Sequence, residues 1–235
     1  MRTWSFSSMN KFETCPRQYN LTYNAKVIPF QDTVHTIWGK EVHSALEGYV
    51  KQRVEAPDEL LPVINELAPI DDKYLPYVRW ANRVIDMPGE KLIEWEFALT
   101  KSLTPTTFAD QTAWCRGVID VAVINGNKAI AIDWKTGKVR PDSDQLKMFA
   151  AVVMQQYPRV QSVKTVYVWL AHDQTTVETY HRDEHLAGIW RHFMAKAQRL
   201  EQAYEKDKWI PKPSGLCNGW CGAGREHCEF WAPRR

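Results

Sequence analysis

Nothing in the 235-residue sequence is apolar for long enough to cross a bilayer as a helix, so no membrane partner is expected. The opening residues Met1 to Asn10 lack the basic-then-apolar build of a secretory signal, and the expectation is a chain that stays in the cytoplasm. Neither sign of charge dominates: 30 Lys and Arg stand against 28 Asp and Glu, a formal net charge of +2. That balance neither demands nor forbids a polyanionic partner, and any nucleic-acid contact must come from local basic patches. Internal repeats and low-complexity tracts are missing, so no repeat architecture is implied. Cysteine is scarce, with five residues, and in a reducing compartment these are not expected to form disulfides.

What is present reads as an ordinary soluble globular protein. It has 44% hydrophobic and 25% charged residues, in one domain spanning 1–235 or one domain with a helical appendage. Eleven tryptophans is a high count; most should be core, and some offer flat surfaces for stacking on bases. Ser7 or Ser8 can cap a short helix running to about Tyr19. Trp38, Val42, Ala45, Leu46 and Tyr49 recur at helical spacing and predict an amphipathic helix over 38–53. Two further helical stretches, about 58–67 and 71–86, are interrupted by Pro62 and Pro76. Residues 92–100, 114–124 and 128–135 read as strands, and 143–157 as a helix ended near Pro158. Then come strands at 163–171 and 175–180 and a long helix at 184–207. From Ile210 the chain is an irregular tail carrying Cys and Gly. Helices, then a small sheet with one embedded helix, then a helix, make an α/β architecture.

Asn125-Gly126 is the strongest short hairpin signal in the chain. As a two-residue turn it makes Ile124 face Asn127, which sets Asp120 opposite Ala131 and Asp133 opposite Val118. Opposite residues share a face of the sheet, as do residues two apart on one strand. Asp120, Asp133 and Lys135 therefore project together, with the two acids as diagonal neighbours roughly 7–8 Å apart at Cα. The other face carries Ile119, Val121, Val123, Ile130 and Ile132 as a core stripe. Two carboxylates so placed can hold one hard divalent cation, Mg²⁺ or Mn²⁺, which polarises a phosphodiester and lowers the pKa of a bound water. A lysine beside them can orient that water and stabilise charge in the transition state. A solvent-exposed pair of acids with Lys135 as counter-ion accounts for the bare hairpin equally well.

Further residues narrow this choice. Gly117-Val118-Ile119-Asp120, then Asp133-Trp134-Lys135-Thr136, then Gln145-Leu146 resembles the PD-(D/E)XK nuclease superfamily. Within it the likeness is to the RecB-type branch, which includes four-cysteine CRISPR-associated exonucleases and phage exonucleases, and it runs from Cys15 to Trp231. It implies a restriction-endonuclease-like core, a small central mixed sheet flanked by helices, with a helical cap at about 54–90 and a cysteine-rich tail at 210–235. Gly39 to Glu47 (GKEVHSALE) resembles the branch's helix bearing a metal-binding His. This implies a metal site of His43, Asp120, Asp133 and the backbone carbonyl of Trp134. A neutral imidazole can complete a mixed nitrogen and oxygen site, and Glu47, one turn on, can orient the ring. Glu96 lies where the branch often has a strand-borne Glu before its first Asp, as a further ligand or a support. Gln145 and Phe149 are four residues apart and share a helix face. The branch has Gln and Tyr there, so this chain loses a hydroxyl, while the Gln amide can still meet a phosphate or a metal-bound water. Asp120, Asp133, Lys135, Gln145 and Glu96 are the implied catalytic set.

Three of the cysteines, Cys217, Cys221 and Cys228, fall within twelve residues, a clustering that points to a metal or cluster site. With the remote Cys15 they resemble the iron–sulfur members of the same branch. The likeness implies a [4Fe–4S] cluster that staples the chain ends and closes a loop of about two hundred residues. Four thiolates can also hold Zn²⁺. The interval from Cys221 to Cys228 is longer than is usual for the group, and His227 adjoins it. Cys115 has no partner in this scheme and reads as a buried strand thiol.

Arg17, Lys138, Arg140 and Lys147 flank these segments as candidate phosphate contacts, and Trp4, Tyr19, Tyr23 and Trp38 are candidate stacking rings. The resemblance implies a metal-dependent DNA exonuclease serving recombination, repair or phage DNA processing, in a host cytoplasm if phage-encoded. Its partners would be DNA and a recombination or single-strand annealing protein. Two other readings use the same residues: a CRISPR-adaptation nuclease that trims DNA within a complex, and a non-catalytic DNA-binding module held together by its metal centre.

Overall fold

The structure, a computed structural model, describes residues 2–30, 32–56, 60, 63, 70–140 and 144–233. Helix α1 (Phe6–Thr14) is capped by Ser5, whose side chain and that of Ser8 bond each other's backbone N–H groups. The cap therefore falls ahead of the expected Ser7 or Ser8, and Ser8 serves as its reciprocal partner. Cys15 is extended and ends α1; Pro16 opens α2 (Pro16–Tyr19), where its missing N–H costs nothing. A reciprocal Thr33–Thr36 cap starts α3 (Val34–Glu55), four residues before the hydrophobic periodicity becomes visible at Trp38. Most of the helix expected at 58–67, with Pro62, lies outside the described residues. The next one begins as a tight turn, Asp72–Tyr74, and continues as α4 (Leu75–Ile85). Pro76 sits in the first turn of α4 and so does not interrupt it.

Strands β1 (Glu90–Leu99), β2 (Pro105–Thr106), β3 (Cys115–Asn125) and β4 (Lys128–Lys135) follow. Then come α5 (Asp144–Gln156), β5 (Ser162–Trp169), β6 (Gln174–His181) and α6 (Arg182–Glu205). The six described strands form one sheet in the order β2-β1-β3-β4-β5-β6. Only β4 and β5 are parallel, and α5 supplies the crossover that a parallel pair requires. This is the expected α/β architecture, a mixed sheet flanked by helices.

Both faces of the sheet are buried, which removes the alternation that a one-sided sheet would print in the sequence. On one face α3 and α4 lay Val42, Leu46, Ala81 and Val84 on Val121, Val123, Ile132 and Trp134. On the other, α1, α5 and α6 pack Met9, Phe12, Met148, Phe149 and Phe193 on Ala122, Ile124, Ala129 and Ala131. The expected stripe is thereby corrected: Val121, Val123, Ile130 and Ile132 share the α3/α4 side, but Ile119 belongs to the opposite core.

The hairpin register also differs from expectation. Asn125 pairs with Lys128, so the turn residues are Gly126 and Asn127, with Gly126 at φ +59°. Ala122, not Asp120, faces Ala131. The two-residue shift preserves the face of each residue from Val121 to Asn125, where β3 pairs with β4. The tail returns to the start of the chain. Lys212 donates its N–H to Cys15 Sγ (3.4 Å) and its ammonium to the Glu13 carbonyl (3.0 Å). No helix among the described residues is long and apolar enough to cross a membrane.

Candidate active site

The β1–β3 ladder runs from Glu90 to Leu99 with one lapse, at Glu94 and Asp120. Glu94 has φ +48°, a left-handed conformation that is uncommon for a residue with a Cβ and costs on the order of 1 kcal/mol or more. At this lapse both strands turn over. Ile93 and Val121 face the α3/α4 core, whereas Trp95 and Ile119 face the α1/α5/α6 core. Glu94 and Asp120 thus leave the ladder where the sheet changes sides. Their carboxylates converge with His43 of α3, and one ligating atom from each of the three lies within 4.8 Å of the others.

The hydrogen bonds fix this arrangement. Asp120 Oδ2 lies 3.3 Å from His43 Nδ1 and accepts the Trp134 N–H at 2.7 Å. The Trp134 backbone also bonds the imidazole, so its carbonyl faces the same space. Asp133 is only 3% exposed. Its Oδ1 accepts a bond from Gln145 Nε2 at 2.9 Å. Its Oδ2 is ion-paired with the Lys135 ammonium at 2.6 Å. Lys135 Nζ donates to Gln145 Oε1 at 3.1 Å, and the Tyr167 hydroxyl donates to that same oxygen at 3.1 Å. The Tyr167 ring lies beneath the Lys135 ammonium, 4.9 Å from its centre.

Too much negative charge is gathered here to be comfortable. Burial and the charges of Asp120 and Glu47 push the Glu94 carboxyl up to about 7. Burial raises Asp133, and the Asp120 charge adds to it against the pull of Lys135. Burial works to deprotonate His43, but Asp120, Asp133 and the Trp134 carbonyl outweigh it and the net push is upward. A divalent cation relieves all three at once. The donors fit one: an imidazole, carboxylates and a carbonyl, packed tightly enough for ligands about 2.1 Å from a common ion.

His43, Asp120, Asp133, Trp134, Lys135 and Gln145 are brought together. Glu96 is not: it is exposed on β1 opposite Val118, and Glu94, which the sequence reading passed over, takes its place in the cluster. The one signal for Glu94 is its position across from Asp120. Glu47 lies near Glu94 and not on the His43 ring, whose Nδ1 has Asp120.

Arg17 bonds Glu229 at 3.2 Å and the Trp209 carbonyl at 3.4 Å, which ties the two chain ends together. Lys147 pairs with Asp144 at 3.1 Å. Lys138 and Arg140 are exposed and line a cavity beside Lys135. Trp4 and Tyr19 are 2% and 3% exposed and are packing residues, not stacking platforms. Trp38 stacks on Tyr74. Cys15, Cys217, Cys221 and Cys228 line one small cavity, yet no three of their sulfurs lie within 4.8 Å of one another. Cys115 is fully buried at the start of β3, and burial pushes its thiol up.

No curated protein matches the sequence. Among solved structures, the chain is similar to the crystal structure of SSO0001, with 13% identity over 96% of this chain and 85% of that one and a TM-score of 0.48. It is also similar to that of a candidate exonuclease from Eubacterium rectale, with 12% identity over 94% of this chain and 87% of that one and a TM-score of 0.50. At such identities the second likeness speaks for the fold alone. The family evidence is of another order, since the model of the PD-(D/E)XK nuclease superfamily matches residues 3–232, nearly the whole length. This chain belongs to the PD-(D/E)XK nuclease superfamily.

Proposed function

We propose that the protein is a Mg²⁺- or Mn²⁺-dependent deoxyribonuclease that works from strand ends. The observation that carries the reading is the convergence of His43, Glu94 and Asp120 within 4.8 Å, beside a buried Asp133 paired with Lys135. His43, Asp120 and Glu94 would hold the ion, and the Asp133 carboxylate and the Trp134 carbonyl beside them would complete the donor set. When bound, the ion supplies a polarised phosphate and an acidified water. Lys135 orients the attacking water and offsets charge on the phosphate. Asp133, Gln145 and the Tyr167 ring restrain Lys135 on three sides, so little reorganisation is needed at the moment of reaction. Gln145 bridges Asp133 and Lys135 and holds the acid and the base in register. Glu96, exposed and apart, is left out of the set. The end-directed mode follows from the resemblance of the sequence motifs to the RecB-type exonuclease branch. The test is end-labelled linear DNA beside closed circular DNA, with Mn²⁺ and with EDTA. Expected is stepwise shortening of the linear strand that needs the metal and is lost in Lys135→Ala. Metal-independent cutting, or equal cutting of the closed circle, sinks the reading.

We also propose that the four cysteines hold a [4Fe–4S] cluster that staples the tail to the Cys15–Pro16 junction, closing 1–235 as one domain with 54–90 as its cap. All four face one cavity. Four thiolates are the ligand set such a cluster takes. Anaerobic purification should give a brown protein whose iron and sulfide are lost in Cys15→Ser. A colourless protein with stoichiometric zinc overturns the cluster and leaves the nuclease reading untouched.

A further inference from the structure

On the far side of Lys135 from His43, a second cavity of about 570 Å³ opens onto the same lysine. That is the size of a pocket for a small organic ligand. Its rim is basic: Lys138 and Arg140 come from the segment after β4, and Lys196 from α6. Among the described residues of the lining the one acid is Asp144, at the start of α5. Asp144 is already shared by three basic side chains, with Lys196 at 2.5 Å, His192 at 2.7 Å and Lys147 at 3.1 Å. Lys135, Lys138, Arg140 and Lys196 line the cavity against that one described carboxylate, so the described lining carries a positive surplus. Asp144 also holds Lys196 in place, with its side chain only 18% exposed, and a fixed cation loses less entropy on meeting an anion than a free one. Lys138 and Arg140 have no ion pair among the described residues and face solvent at the mouth. α1 contributes Phe6 and Met9 to the lining, and Phe6 is half-buried.

Cations and an aromatic ring in one lining are what a nucleotide asks for, a phosphate seat and a stacking surface. We propose that this cavity binds one nucleotide of a single DNA strand, next to the phosphate that meets Lys135. Its flanking phosphate lies on Lys196, Lys138 and Arg140, and its base lies against Phe6. An unpaired nucleotide can lay its base on the Phe6 ring, whereas a base stacked within a duplex cannot. The proposal rests on the nuclease reading for the place of the scissile phosphate.

The test is binding of a fluorescein-labelled oligo-dT to the full-length protein by anisotropy, without Mg²⁺ or Mn²⁺ so that no strand is cut, across a salt series. Arg140→Gln and Lys196→Gln should each weaken binding and flatten the slope of log K against log salt by about 0.7. Arg140→Gln removes an exposed side chain and keeps the test valid if loss of Lys196 disturbs folding. Phe6→Leu, which keeps bulk but no flat ring, should weaken binding about fivefold or more. Lys128→Gln, the same charge loss at the opposite end of β4, should leave affinity and slope as they are. Unchanged slopes in Arg140→Gln and Lys196→Gln, a slope lost equally in Lys128→Gln, or tighter binding of duplex than of single strand overturns the proposal. If the wild type cuts DNA and the slopes do not move, this cavity is wrong and the nuclease reading stands. If the slopes move but no metal supports cutting, the reverse holds.

Discussion

Glu94→Gln should make the metal-free protein more stable and the metal-loaded protein worse. Ligating oxygens of Glu94 and Asp120 lie within 4.8 Å of one another. Two unit charges at that distance repel by about 0.9 kcal/mol in water and about 3.5 kcal/mol at an effective dielectric constant of 20. Glu94 is half-buried, so solvent screening brings the figure to about 1–2 kcal/mol. Removing that repulsion at pH 8 should raise the melting temperature in EDTA by about 2–8 °C for a chain of this length. At pH 5 the gain should vanish, because Glu94, with its pKa raised to about 7, is then already protonated. In excess Mn²⁺ the order should reverse, since the wild type gains binding free energy that a chain with one ligand fewer cannot match. The assay is a thermal melt at both pH values, with EDTA and with Mn²⁺, beside a DNA-cutting rate. A variant that melts at or below the wild type in EDTA at pH 8, or that keeps the full Mn²⁺ stabilisation, refutes the placing of Glu94 in the site.

Tyr167→Phe removes one buried hydrogen bond to Gln145 and leaves the ring under Lys135; kcat should fall between about twofold and tenfold with KM unchanged, and an unaltered kcat contradicts the positioning role. Gly117→Ala would place a methyl group 2.8 Å from the Phe97 ring that pairs across from it, and should cost about 1–3 kcal/mol in urea denaturation. Recovery in the double variant Gly117→Ala, Phe97→Leu would show that the clash is the cause. The folded chain holds protons on Glu94 and Asp133 that the unfolded chain releases, so metal-free stability should fall as pH rises from the ordinary carboxylate range through about 7. Mn²⁺ affinity should rise over that same window, because the ion competes with those protons; a flat affinity between pH 5 and 8 argues against these acids as ligands.

Local features were legible from the sequence. The hairpin, the common side of Asp133 and Lys135, and the helix that carries His43 all follow from spacing; the two-residue error in register left Val121 to Asn125 on their expected faces, and Ile119, beyond the paired stretch, lies on the other side. What the sequence hid is long-range. Fifteen residues, 100–114, separate β1 from β3 with no short turn signal, so nothing local set Glu94 across from Asp120 and Glu96 was the natural choice. The left-handed backbone at Glu94 and the turning-over of both strands are imposed by two cores on opposite faces, which a period of two cannot encode. Tyr167 reaches Gln145 because β5 lies parallel to β4 and pairs it with Asp133. Lys196 reaches the cavity because α6 crosses the start of α5, and no sequence pattern announced that crossing.

The central claim is that a metal held between His43, Glu94 and Asp120 cuts DNA with the help of Asp133 and Lys135. It is tested most directly by the Mn²⁺-dependent cutting rate of Asp133→Asn, a substitution that keeps shape and removes the charge, in protein shown by circular dichroism to be folded. The account predicts a loss of about a hundredfold or more. Cutting at the wild-type rate would contradict it.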